Sequence, residues 1–140
     1  MIEWNKKVVF ENYANFKGRA RRSEYWYFVL GQILIVLGIV MIGSLIGTFL
    51  GSAEDGFFIA FGFSGFYFLA ILIPYLALVV RRLHDIGKSG WFYFVRFIPV
   101  IGGIWLLVLL CTEGNYGPNN YGLDPKDEFD EISEIGSVED

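Results

Sequence analysis

The chain has 140 residues, of which 54% are hydrophobic, 19% aromatic and 19% charged, and its formal net charge is −4. A single domain of this length could not bury that much apolar surface in a soluble core, so the composition excludes an ordinary soluble globular protein. The charges lie in residues 3–24, 54–55 and 81–88, at Arg96 and in an acidic C-terminus from Glu113, so the net charge averages a basic part with an acidic tail and does not indicate nucleic-acid binding.

Residues 1–16 mix polar and apolar side chains. Ile2, Val9, Tyr13 and Phe16 can share one face of a helix, which favours a short amphipathic helix lying on the membrane surface.

Three apolar runs follow, at about residues 25–50, 57–80 and 91–111, and each has the length of a membrane span. Pro74 is expected to kink the second run, because proline cannot donate a helical hydrogen bond. Pro99, Gly102 and Gly103 weaken the middle of the third run. That run is either a third crossing, the favoured alternative, or a re-entrant hairpin.

Small and polar residues inside the spans indicate helix contacts. Gly43, Gly47 and Gly51 recur at every fourth position, a spacing that lets another helix approach closely, although chance is an alternative in a chain with 17 glycines. This stripe is also a candidate contact for an oligomer. The small residues within 62–65 could pack against the first span, and Gln32 is expected to form an interhelical hydrogen bond.

The distribution of basic residues predicts the orientation. Four bases at residues 17–22 precede the first span, the turn at 51–56 has none, and three lie in residues 81–88. By the positive-inside rule the N-terminus and residues 81–90 face the cytoplasm. Three crossings would place the tail outside, whereas a hairpin would return it to the cytoplasm.

This topology brings two charged stretches to one membrane boundary. Because charges near lipid are costly unless they are paired, we expect Glu24 to pair with Arg81 or Arg82, and Asp85 with Arg22 or Arg96. The first interpretation is a structural polar clasp between helix ends. The second is a site for anionic lipid headgroups or another phosphate, and the third is a catalytic site. The candidate residues are Arg19, Arg21, Arg22, Glu24, Arg81, Arg82, His84, Asp85, Lys88 and Arg96.

Other chemistry finds little support in the sequence. His84 and Asp85 are adjacent, so on a helix their side chains point about 100° apart and form a poor acid–base pair. With one histidine and one cysteine, neither a zinc site nor an intrachain disulfide is expected. Gly87 and Gly90 lack the spacing and setting of a phosphate-binding loop.

Three stretches together resemble the bacterial DUF805 family, a set of small inner-membrane proteins without an assigned activity. They are Phe16-x-Gly18-Arg19-Ala20-x-Arg22-x-Glu24-Tyr25-Trp26, then Arg81-Arg82-Leu83-His84-Asp85-x-x-x-Ser89-Gly90-Trp91 with the Ile98-Pro99-x-Ile101-Gly102 break, and finally Asn120-Tyr121-Gly122-Leu123-Asp124-Pro125. The resemblance covers about residues 10–125 and implies an inner-membrane location. It carries over no catalytic residue, and the acidic extension beyond Lys126 departs from the family pattern.

The predicted fold is all-α, with a bundle of three transmembrane helices, an N-terminal interfacial helix and a flexible acidic C-terminal tail. The membrane domain is expected at residues 1–125 and the tail at 126–140. We expect a non-enzymatic module that binds anionic lipid or a protein partner through its basic cytoplasmic face, and the alternative is a subunit of an oligomeric channel or transporter. Expected partners are membrane lipids, a second copy of the chain or another membrane protein, with no cofactor, metal or nucleic acid.

Overall fold

The computed structural model describes residues 2–126, which are predominantly helical and contain no strand within that range. Helix α1 (Ile2–Lys6) continues as one π-helical turn (Lys7–Glu11). Two long helices follow, α2 (Arg22–Leu50) and α3 (Ala53–Asp85), and then a 3₁₀ helix (Gly90–Phe97) and helix α4 (Gly102–Cys111). The predicted all-α class is confirmed, and the acidic extension after Lys126 lies outside the described residues.

The described chain divides into two compact units. Residues 2–13 and 26–75 form the first, called here the apolar unit, and residues 14–25 and 76–126 belong to the second, called the polar unit. Helices α2 and α3 are both long and apolar enough to cross a membrane.

Within the apolar unit, α2 and α3 approach each other through glycines. A Cβ built on Gly43 would lie 2.6 Å from the Cβ of Ala60, and one on Gly47 would lie 2.6 Å from the Cα of Gly56. The predicted close approach at Gly43 and Gly47 is therefore present, but it occurs within the chain. Gly51 instead adopts a positive φ of 76° in the turn after α2.

Two further expectations about this packing have different outcomes. Gly62 and Gly65 do not approach α2 closely, since a Cβ on either would meet nothing within 4 Å, whereas the Ser64 hydroxyl is buried. Gln32 does bond between helices, because it accepts a hydrogen bond from the Tyr67 hydroxyl of α3 and donates to Asn5 Oδ1 of α1 at 2.7 Å.

The N-terminal segment contains a π turn in which Val8, outside the predicted stripe, is fully buried, while Ile2 of that stripe is 81% exposed. Beyond this turn, the Tyr13 hydroxyl donates to the Ala70 carbonyl at 2.8 Å. Ala70 lies four residues before Pro74, which has no N–H to offer that carbonyl. Tyr13 therefore replaces the hydrogen bond that the proline removes.

Residues 90–111 of the polar unit do not form one continuous helix. The chain leaves the 3₁₀ helix through Pro99 and turns so tightly that a Cβ on Gly102 would overlap the Val95 carbonyl oxygen. At the beginning of the segment a Cβ on Gly90 would lie 2.9 Å from Val80, and at its end the Leu110 carbonyl accepts a hydrogen bond from Arg82 at 3.2 Å. Both ends of this segment therefore lie beside the last turns of α3.

The third predicted span consists of a 3₁₀ helix and a short α-helix. Helix α4 has 10 residues, which gives a length of about 15 Å, roughly half of the hydrocarbon core of a bilayer. The described residues thus contain a third apolar helix that is shorter than the two candidate spans, and the choice between a third crossing and a hairpin stays a prediction.

Candidate functional site

The three sequence stretches that carry the family resemblance meet in the polar unit. The loop before α2 reaches the end of α3, where the Ala20 N–H donates to the Arg81 carbonyl at 3.1 Å. The segment after α4, residues 113–126, returns to the same place, where the Asn115 N–H donates to the Asp85 carbonyl at 2.8 Å. We call residues 113–126 the strap. The polar cluster is the group of charged side chains at this meeting point, namely Arg19, Arg22, Glu24, Arg81, Arg82, Asp85, Glu113, Asp124 and Lys126.

Asp85 occupies the centre of the polar cluster. Its Oδ1 accepts a hydrogen bond from Arg19 Nε at 2.9 Å and its Oδ2 accepts one from Arg82. The three side chains are between 0% and 6% exposed. Buried ion pairs of this kind require good geometry and further hydrogen bonds to offset the loss of hydration.

Backbone carbonyls supply those further hydrogen bonds. Arg82 also donates to the carbonyls of Leu110 and Thr112, and Arg19 donates to those of Asn115 and Gly117. The excess positive charge of two arginines on one carboxylate is thus shared with oxygens at the end of α4 and in the strap. The buried charges consequently tie α3, α4, the strap and the loop before α2 together.

A second buried ion pair joins α2 and α3. Arg81 donates to Glu24 Oε1 at 3.1 Å, with 4% and 2% of the two side chains exposed. The structure therefore contains one of the two pairs predicted for Glu24. Arg81 Nε and Nη2 are buried and find no hydrogen-bond partner among the described residues.

The predicted partners of Asp85 are wrong. Arg22 instead forms an exposed pair with Glu113 at 3.2 Å, and Arg96 is exposed in the 3₁₀ helix, where it donates to the Tyr93 hydroxyl at 3.3 Å. Arg96 therefore takes no part in the ion pairs of the polar cluster that the structure describes.

His84 holds the strap through its ring and its carbonyl. The imidazole stacks on Tyr121 with centroids 4.0 Å apart and an interplanar angle of 3°. Its Nδ1 lies 3.1 Å from the Gly18 carbonyl, which can only accept, so the proton is on Nδ1. The His84 carbonyl accepts a hydrogen bond from Asn119 Nδ2 at 2.9 Å. These contacts indicate a positioning role for His84 and not an acid–base pair with Asp85.

Two residues of the strap that contribute to the site, Gly114 and Asp124, were not among the predicted site residues. Gly114 lies so close to Asp85 that a Cβ there would be 2.6 Å from the carboxyl carbon. Asp124 is buried and caps the strap by accepting hydrogen bonds from the N–H groups of Gly117 at 2.9 Å and Lys126 at 3.0 Å. The signal available in the sequence was the Asn120–Pro125 motif, which pointed to the strap without showing what it contacts.

The outer part of the polar cluster is exposed and contains an acid between two bases. Glu113 Oε1 accepts hydrogen bonds from Lys126 Nζ at 2.9 Å and from Arg22 at 3.2 Å. The hydrogen bond and charge of Lys126, together with the charge of Arg22, lower the pKa of Glu113 below its usual value. The same hydrogen bond raises the pKa of Lys126.

A small polar cavity adjoins this exposed group. Its volume is about 170 Å³, and its lining includes Arg21, Arg22, Ser23, Asp85, Asp124 and Lys126. Lys88, the remaining predicted residue, is exposed and lies over the Phe92 ring, 5.3 Å from its centroid. Within residues 2–126 no group of three or more histidine, cysteine, aspartate or glutamate side chains could hold a metal ion.

Comparison with known proteins supports the resemblance read from the motifs. The family model described as "Protein of unknown function (DUF805)" matches residues 13–123. The inner membrane protein YhaI of Escherichia coli (strain K12) is 43% identical over 125 residues, which cover 89% of this chain and 97% of that protein. Inner membrane protein YhaH of the same strain is 34% identical, with 89% and 98% covered.

No solved structure matches the chain. Two helices have the length and apolar character of membrane spans, and two of the similar relatives are named for the inner membrane. The chain is therefore a membrane protein that belongs to the DUF805 family.

Proposed function

We propose that this protein is a non-enzymatic module of the bacterial inner membrane that binds anionic lipid headgroups through the basic residues around its polar cluster. Helices α2 and α3 cross the bilayer, the N-terminus faces the cytoplasm, and the segment 90–111 enters the membrane and returns. The polar cluster then lies at the cytoplasmic boundary, where phosphate groups of the lipid are within reach.

The observation that carries this proposal is an excess of basic side chains that the buried ion pairs do not use. Residues 19–24, 81–88 and 113–126 together contain seven basic and four acidic residues. Glu24 and Asp85 are buried and engaged with arginines, and Asp124 is buried against backbone N–H groups. The bases are Arg19, Arg21, Arg22, Arg81, Arg82, Lys88 and Lys126, and the acids are Glu24, Asp85, Glu113 and Asp124.

The positive charge that the buried ion pairs do not use therefore lies at the edge of the polar cluster. There Lys17 and Lys88 are exposed next to the predicted bilayer surface. Each basic residue near an anionic membrane contributes about 1 kcal/mol of attraction, which salt screens. The alternative of an oligomeric channel receives less support, because Gly43 and Gly47 are already used for packing within the chain.

The test is lipid titration of the purified full chain in nanodiscs of neutral lipid, with phosphatidylglycerol as the added anionic component. The double variant Lys17→Gln/Lys88→Gln is expected to weaken binding about tenfold or more, with a smaller dependence on salt. Asp55→Asn, which changes an exposed charge in the first turn of α3 at the opposite predicted membrane face, is the control and should leave binding unchanged. Equal binding by the wild type and the double variant would contradict the proposal.

A further inference from the structure

We infer that the 170 Å³ cavity beside the first turn of α2 binds a single phosphomonoester group, held by Arg22 and Lys126 in place of the Glu113 carboxylate. This inference rests on the proposed function and identifies the position and the kind of headgroup that the basic face prefers. The phosphate belongs either to a lipid headgroup or to free inorganic phosphate, which present the same chemistry.

Glu113 shows that this position accepts an anion. One carboxylate oxygen already receives hydrogen bonds from both Arg22 and Lys126. The side chains of Arg22 and Glu113 are each 46% exposed, and exposed ion pairs contribute little stability. A competing anion can therefore displace Glu113 at small cost.

A phosphomonoester is a better occupant than this carboxylate. It carries a charge of about −1.5 to −2 near neutral pH and has three strong acceptor oxygens, whereas Glu113 offers a single negative charge. Arginine suits phosphate oxygens because its planar fork can donate two parallel hydrogen bonds. Glu113 uses one oxygen for two donors and has one oxygen left, whereas a phosphate that satisfies the same donors with one oxygen has two left.

The cavity supplies further donors and limits the size of the ligand. Arg21 and Ser23 lie in its wall, and α2 begins at Arg22, so the wall lies at a helix N-terminus, whose first backbone N–H groups favour anions. Pockets for drug-sized ligands have volumes of about 300–1,000 Å³. A cavity of 170 Å³ suits a single phosphate group and is too small for a nucleotide.

Two acids in the wall are already neutralised locally. Asp85 is held by Arg19 and Arg82, and Asp124 accepts two backbone N–H groups. Around the cavity the bases Arg19, Arg21, Arg22, Arg82 and Lys126 outnumber the acids Asp85, Glu113 and Asp124. Displacement of Glu113 increases the local positive excess further.

The experiment measures binding of inorganic phosphate and of phosphatidic acid to the full chain in phosphatidylcholine nanodiscs. Glu113→Gln removes the internal competitor and is expected to increase the affinity for both probes about three- to tenfold. Arg22→Gln and Lys126→Gln should each reduce it about fivefold or more. Glu54→Gln, an exposed acid of the first turn of α3, is the matched control and should change neither.

The two probes distinguish the sources of the phosphate. A lipid headgroup is indicated if phosphatidic acid binds much more tightly than inorganic phosphate, and a soluble phosphate is indicated if the two bind equally. In either case the opposite effects of Glu113→Gln and Arg22→Gln must appear. If Glu113→Gln leaves both affinities unchanged or lowers them, the inference is wrong.

Failure of the inference is separable from failure of the proposed function. If phosphatidylglycerol binding falls in Lys17→Gln/Lys88→Gln while no variant of Glu113 or Arg22 affects phosphatidic acid, the edge of the polar cluster binds lipid but the cavity holds no phosphate. If neither an anionic lipid nor inorganic phosphate binds, both are wrong.

Discussion

Asp85 is the residue on which the polar cluster depends. It is the acidic partner of two arginines that are 1% and 0% exposed. A buried cation that loses its counter-ion keeps its full dehydration cost, so removal of one partner is more damaging than the net value of the pair suggests. Asp85 also places its main-chain carbonyl against the strap through Asn115.

We therefore expect Asp85→Asn to destabilise the protein by about 3–5 kcal/mol. The change keeps the size of the side chain and removes its charge, so the effect would come from the unpaired arginines. The loss of stability can be measured by adding a denaturing detergent to the protein in mild detergent and recording its unfolding by circular dichroism. Asp55→Asn, an exposed acid in the first turn of α3, should change stability by less than about 1 kcal/mol. Equal effects of the two substitutions would show that the buried ion pairs are not important for stability.

The partners of Asp85 illustrate what sequence could not predict about single residues. The meeting of residues 17–24 with 81–88 followed from hydropathy and topology, which also predicted that Glu24 pairs with Arg81 or Arg82 without choosing between them. Arg19 lies in an irregular loop after Gly18, whose φ is +81°. No helical periodicity specifies where such a side chain points, so Arg22 was an equally reasonable partner for Asp85.

At the level of elements, α2 and α3 are held close by the absence of side chains at two glycines. Membrane helices gain little from the hydrophobic effect between them, so close backbone packing is a main source of their association. Gly47 approaches Gly56 so closely that a methyl group on either would separate the helices. Gly38 lies on the same helix but has nothing within 4 Å of the position of a Cβ.

Alanine at Gly47 and alanine at Gly38 should have opposite effects on stability. Gly47→Ala is expected to destabilise the protein by about 1–3 kcal/mol, because the backbones must move apart. Gly38→Ala should stabilise it by as much as about 1 kcal/mol, because alanine is the better helix former. The same unfolding assay in detergent measures both. A similar change for both variants would mean that helix propensity alone, and not the contact of α2 with α3, determines the result.

The third apolar segment shows why elements are harder to predict than composition. Pro99, Gly102 and Gly103 indicated a break but could not distinguish a kink from a reversal. The position of the end of α4 beside α3 is fixed by contacts far apart in sequence, such as those of Arg82 with the carbonyls of Leu110 and Thr112. Local patterns do not contain this information.

For the whole molecule, the number of membrane crossings determines the side on which the chain emerges after α4. Cys111 ends α4, and its carbonyl lies 3.4 Å from Arg22 Nη1 at the start of α2. If α2 and α3 cross the bilayer and residues 90–111 turn back, Cys111 emerges on the side of the N-terminus. If residues 91–111 crossed fully, Cys111 would emerge on the side of the turn between α2 and α3.

The single cysteine of the chain is exposed and makes this prediction testable without further engineering. A membrane-impermeant maleimide should label Cys111 in inside-out vesicles but not in intact spheroplasts. The matched control is Glu54→Cys in a Cys111→Ser background, which places one thiol in the first turn of α3 and should give the reverse pattern. Labelling of both proteins from the same side would instead indicate the topology with three crossings. It would also remove the strap from the cytoplasmic face, and with it the contacts of Arg19 and Asp85 on which the polar cluster is built.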